Sequence, residues 1–135
     1  MSDEHVVVDA SALIDLLLGE PLGYAVAARI DGTVLHAPAH LDAEVLSGLG
    51  RLHRAGRLTA PAVARQLAAV AAAPITRHAL PDLVGRAWER RNALRLADAI
   101  YVELATTLDV PLVTTDARLG RAAATAEVVL PSPSR

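Results

Sequence analysis

The chain has 135 residues, a length that suits one domain whose core folds without disulfide or zinc staples. Hydrophobic residues make up 53% but aromatic residues only 2%, so the core is built from Ala, Val, Leu and Ile, and an aromatic base-stacking platform is a poor candidate. There is no cysteine and every basic residue is arginine, which removes disulfides, thiolate zinc sites, Cys nucleophiles and a P-loop; a net charge of −2 argues against indiscriminate coating of nucleic acid.

His5 to Val8 reads as a short buried strand, and Asp9 and Ser11 supply polar side chains able to cap a helix from Ala12 to Leu18. Gly19-Glu20-Pro21 breaks that helix and starts another that runs to about Ile30. Thr33 to His36 is a second strand. After Pro38, Leu41, Val45, Leu49 and Leu52 recur with helical spacing as far as Gly56, and Glu44 lies early in that helix. Thr59-Ala60-Pro61 opens the next helix through the Ala-rich run 68–73, and 74–77 forms a brief strand. Pro81 starts a helix that ends near Asn92, and Leu96 to Leu108 is helical with Asp98, Val102 and Ala105 on one side. Strands over 111–115 and 127–130 flank a loop and short helix from Asp116 to Ala124. Alternating strands and helices favour a parallel sheet of four to five strands covered on both faces. Residues 1–131 form one domain and 132–135 a disordered tail.

Asp9 and Asp116 each follow an apolar strand, and Glu44 and Asp98 stand near helix starts. In open α/β sheets these places converge outside the carboxyl ends of the strands. Ionised carboxylates removed from water are costly unless hydrogen-bonded, paired or bound to a cation, so four that meet point to a divalent metal site. An all-oxygen set suits Mg²⁺, with Mn²⁺ as a substitute. Taken singly, Asp9 is also a plain helix cap, Asp116 a turn residue, Glu44 a solvated helix residue and Asp98 a partner of the helix dipole. Ser11 and Thr115 are candidates for orienting a carboxylate or a water. The arginines 86, 90, 91, 95, 118 and 121 surround Asp98 and Asp116 in sequence and suit phosphates or a solvated surface. Pro38 between His36 and His40 spoils a helix-borne metal pair, and all five histidines read as structural or surface residues.

The blocks VVVDASALIDLLLGE (6–20), AEVL (43–46) and LADAIYVELATTLDVPLVTTDARL (96–119) together resemble the PIN domain, most closely the VapC-type toxins of bacterial toxin–antitoxin pairs. The resemblance spans essentially the whole chain. It implies an α/β/α sandwich, an acidic metal-binding quartet of Asp9, Glu44, Asp98 and Asp116 with Ser11 and Thr115 in support, a homodimer and a cognate antitoxin. It further implies an Mg²⁺-dependent endoribonuclease that cuts structured RNA, a tRNA or rRNA, through a metal-activated water and leaves 5′-phosphate and 3′-hydroxyl ends. One alternative is a catalytically silent RNA- or protein-binding module. Another is a receiver-like Mg²⁺ phosphotransfer domain, disfavoured because such sites use a lysine. No signal peptide or stretch of roughly 20 apolar residues is visible, so a cytoplasmic protein without membrane contact is expected.

Overall fold

The three valines of β1 (His5–Val8) are fully buried and alternate between the two faces of the sheet. Val7 joins one apolar cluster, whereas Val6 and Val8 join the other, so β1 is central and covered on both sides. The computed structural model describes residues 3–131; the expected tail at 132–135 lies outside them. The remaining strands are β2 (Val34–Pro38), β3 (Ile75–His78), β4 (Leu112–Thr114) and β5 (Ala126–Val128). They form an all-parallel sheet of order β3-β2-β1-β4-β5.

The helices are α1 (Ala10–Leu18), α2 (Pro21–Ile30), α3 (Leu41–Arg54), α4 (Ala60–Ala72), α5 (Pro81–Glu89), α6 (Leu96–Leu108) and α7 (Ala117–Ala122). On one face Val7 and Leu112 meet Leu41, Val45 and Leu49 of α3 and Tyr101, Val102 and Ala105 of α6. On the other, Val6, Val8 and Val113 meet Ala12 of α1 and Val26 of α2. This is the expected three-layer α/β/α arrangement.

Several boundaries differ from the sequence reading for local reasons. The first helix begins at Ala10, two residues early: Asp9 alone is its cap, accepting from the Ala12 amide at 2.9 Å, and Ser11 lies inside the helix. β2 and β3 extend to Pro38 and His78 because the two strands pair to their ends. β5 pairs with β4 from Ala126 and stops at Val128, earlier than expected.

Gly19 ends α1 in the left-handed region at φ 67°, where an L side chain is unfavourable. Beyond it, Gly23 lets α2 lie against α1, since a Cβ there would come within 2.2 Å of the Asp15 carbonyl oxygen. The two helices turn by 118° at this break, and no single helix among the described residues is long and apolar enough to cross a membrane.

Candidate active site

With β2 on one side of β1 and β4 on the other, the chain reverses its winding direction beside β1, and a crevice opens at the carboxyl ends of those strands. Asp9 follows β1, Asp116 caps α7 just beyond β4, Glu44 lies in the first turn of α3 after β2, and Asp98 lies in the first turn of α6. All four line one cleft of about 360 Å³. A fifth carboxylate, Asp15, shares it, together with Arg51, Arg95, Ser11 and Tyr101.

Asp9 is the deepest of the set at 4% exposure. One oxygen accepts from the Ala12 amide at 2.9 Å and from the Ser11 hydroxyl at 2.8 Å; the other accepts a short hydrogen bond from Thr114. Burial pushes its carboxyl up to about 6 even so, since the three donors offset only part of the desolvation and the Asp98 charge adds to it. Asp98 is half-buried and is also raised, first by burial and then by the Asp116 and Glu44 carboxylates, with Arg95 and Arg118 pulling the other way. Two acids with increased proton affinity in one crevice are ones whose ionised forms a neighbouring positive charge would stabilise.

Glu44 is fixed from below by Tyr101, whose hydroxyl donates to Oε1 at 2.6 Å. Tyr101 is 1% exposed, and burial together with the adjacent carboxylate drives its phenol far above its ordinary value, so it stays a donor at any physiological pH. His40 packs against Tyr101 with ring centroids 4.7 Å apart and planes tilted by 46°, and places Nε2 3.5 Å from Glu44. Asp116 accepts from the Arg118 amide at 2.9 Å, and its own amide donates to Thr114 Oγ1 at 3.0 Å.

Ser11 lines the cleft and its hydroxyl donates to Asp9 at 2.8 Å. Thr115 stands differently: its hydroxyl donates to Asp15 at 2.7 Å and its amide to Ser11 Oγ at 3.3 Å, so among the described residues it hydrogen-bonds no carboxylate of the quartet. The threonine that holds Asp9 is Thr114. The parallel register Val7↔Leu112 and Val8↔Val113 carries Asp9 opposite Thr114, and register is invisible before the strands pair. Asp15 had a weaker signal, lying four residues after Ser11 and hence on the same helix face. Arg51 carried a similar signal, lying two turns beyond Glu44 and hence on the same face of α3, whereas Tyr101, inside an apolar run, carried none. Of the six arginines expected near Asp98 and Asp116, Arg95 lines this cleft and Arg118 its neighbour. Arg90 instead pairs with buried Glu103, and Arg91 lies over the Trp88 ring.

The donor chemistry fits a hard divalent cation, because every candidate ligand is a carboxylate oxygen and none is a thiolate or imidazole. Among the described residues no three His, Asp or Glu side chains are drawn together closely enough to hold an ion as they stand. Like charges spread apart, and Glu44 and Asp116 satisfy themselves on Tyr101 and Arg118, so ligation requires these side chains to turn inward.

A family model described as PIN domain matches residues 6–125. The chain therefore belongs to the PIN-domain family. It is 55% identical over 120 residues to Ribonuclease VapC3 of Mycobacterium tuberculosis, covering 88% of each chain. In three dimensions it resembles PAE2754 from Pyrobaculum aerophilum, with a TM-score of 0.67 and 25% identity over 91% of this chain and 82% of that one. The fold also matches a toxin-antitoxin complex from Klebsiella pneumoniae, with a TM-score of 0.66 and 18% identity over 91% and 96% of the two chains.

Proposed function

We propose that this chain is a divalent-metal-dependent endoribonuclease that acts as the toxin of a toxin–antitoxin pair. The observation that carries the reading is the convergence of Asp9, Glu44, Asp98 and Asp116, from four separate segments, on one cleft at the carboxyl edge of the sheet. Identity to Ribonuclease VapC3 over nearly the full domain supports the reaction class.

Asp9 and Asp98 are the principal ligands in this proposal, with Glu44 and Asp116 completing the site, and Mg²⁺ or Mn²⁺ is the cation. When bound, the cation supplies positive charge for the scissile phosphate and lowers the pKa of a water that attacks it. Ser11 and Thr114 hold Asp9 in one rotamer, so this ligand needs little reorganisation, whereas Glu44 would have to turn from its place on Tyr101 to complete the site. The ionised form of Asp9 is the ligand, so cation binding expels the proton that burial favours. The substrate is a structured RNA, and the partners are a cognate antitoxin and a second copy of the chain, in the cytoplasm.

The test is cleavage of tRNA and rRNA by the purified, antitoxin-free protein with EDTA, Mg²⁺ or Mn²⁺, read on sequencing gels that resolve end chemistry. Cuts bearing 5′-phosphate that vanish with EDTA and in Asp98→Asn are expected. Cleavage that persists in EDTA, or that leaves 2′,3′-cyclic phosphate, sinks the proposal.

A further inference from the structure

Arg51 and Arg95 both line the carboxylate cleft, and each also lines one neighbouring hollow. Arg51, with Glu44, is shared with a hollow of about 340 Å³ completed by His40 and Ser47. Arg95, with Asp98 and Asp116, is shared with one of about 220 Å³ floored by Leu94, Leu119 and Ala122 and edged by Arg118. The cleft thus adjoins both hollows, with an arginine and at least one of the acids among the residues shared at each boundary.

Charge makes this placement significant. Five carboxylates in the cleft repel a polyanion, and a single divalent cation offsets only part of that. Arg29, Arg57, Arg77, Arg90 and Arg118 all have carboxylate partners. Arg51 and Arg95 are exposed, and among the described residues neither forms a salt bridge. A guanidinium left without a partner beside clustered acids is available to a phosphate, whose oxygens it grips in a bidentate manner.

We infer that the cleft and the two hollows together form a trough that is the path of an unpaired RNA segment, in which Arg51 and Arg95 hold the phosphates on the two sides of the one that is cut. The hollow floored by Leu94, Leu119 and Ala122 takes a base on the Arg95 side, where the guanidinium of Arg118 stands at its edge. This assignment rests on the endoribonuclease reading for the position of the cut, but the binding it describes is measured separately from cleavage.

The experiment is fluorescence anisotropy with a fluorescein-labelled, mixed-sequence, 12-nucleotide single-stranded RNA in Ca²⁺, repeated over a NaCl series, beside a Mn²⁺ cleavage assay. Arg51→Gln and Arg95→Gln are each expected to weaken binding by about 5- to 20-fold and to reduce the slope of log K against log salt by about 0.7, the value for one lost contact to a single strand. Arg51→Lys and Arg95→Lys restore the slope, which a merely structural role would not. Arg65→Gln, on α4 and away from all three hollows, leaves both unchanged. Ala122→Phe, which fills the apolar hollow, weakens binding without altering the slope. Wild-type affinity and slope in both Gln variants overturn the trough even if the protein cleaves RNA, and an unaffected Ala122→Phe overturns the base seat. Arginine-dependent binding with no cleavage in any metal leaves the trough standing and removes the nuclease reading.

Discussion

Asp9 shows how one side chain couples stability to function. Its carboxyl is raised from 3.8 to about 6 in the folded chain, so the folded state binds the proton more tightly than the unfolded one. That contribution to stability is fully present below the unfolded value near 4 and is lost as pH rises through about 6, where the difference amounts to about 3 kcal/mol. Asp98 acts in the same direction. In EDTA, the thermal midpoint of wild type minus that of Asp9→Asn is expected to fall between pH 4 and pH 7, a window accessible by calorimetry. A difference that is flat across it contradicts the burial cause. Thr114 gives a sharper contrast: Thr114→Val removes a donor from Asp9, while Thr115→Val touches only Asp15. Metal titration by calorimetry should show weaker binding in the first variant than in the second, by about 10-fold or more, and equal losses would remove the distinction between the two hydroxyls.

At the scale of elements, α6 carries the largest share of constraint. Its first turn presents Asp98, Tyr101 one turn later supports Glu44 of α3, and Glu103 is buried at 4% exposure against Arg90, just beyond α5. The Arg90–Glu103 pair ties α5 to α6, and removing one partner leaves a buried charge unpaired. Arg90→Ala is expected to lower stability by about 1–3 kcal/mol, below the roughly 3–5 kcal/mol of a fully buried pair because Arg90 itself is 36% exposed. Arg90→Met with Glu103→Met should recover most of it in urea unfolding. A double variant as unstable as the single one means that the pair supports something beyond its own charges.

Across the whole molecule, most apolar residues between Leu13 and Leu35 are spent on the interior: Leu13 and Val26 are core, and Leu16 and Leu35 pack against it, while Tyr24 stays exposed. A clustered apolar surface lies around Val84, Trp88 and Leu96, on and beside α5 and α6, with Trp88 57% exposed and Arg91 over its ring. We propose this patch as the contact of the homodimer that the family resemblance implies, because a second copy would cover it with a like surface. Trp88→Glu is expected to give a monomer in sedimentation velocity at concentrations where wild type is dimeric, and an unchanged dimer would place the interface elsewhere. A cation raises the thermal midpoint by several degrees if present at about 100 times its dissociation constant, a gain of about 2.7 kcal/mol; Asp98→Asn should abolish that response.

The amino-acid sequence by itself determined the element order, the parallel sheet and the four acids. These are local or compositional properties: apolar runs of strand length, helical spacing of Leu and Val, Pro and Gly breaks, and carboxylates at strand ends where topology gathers them. The tertiary structure alone decided which threonine serves Asp9, which arginines face the acids and which apolar surface stays outside. Each depends on strand register or on contacts between distant segments: Asp9 meets Thr114 across 105 residues and Glu44 meets Tyr101 across 57. A change of one residue in register turns a side chain to the opposite face, and nothing local in the chain records that choice.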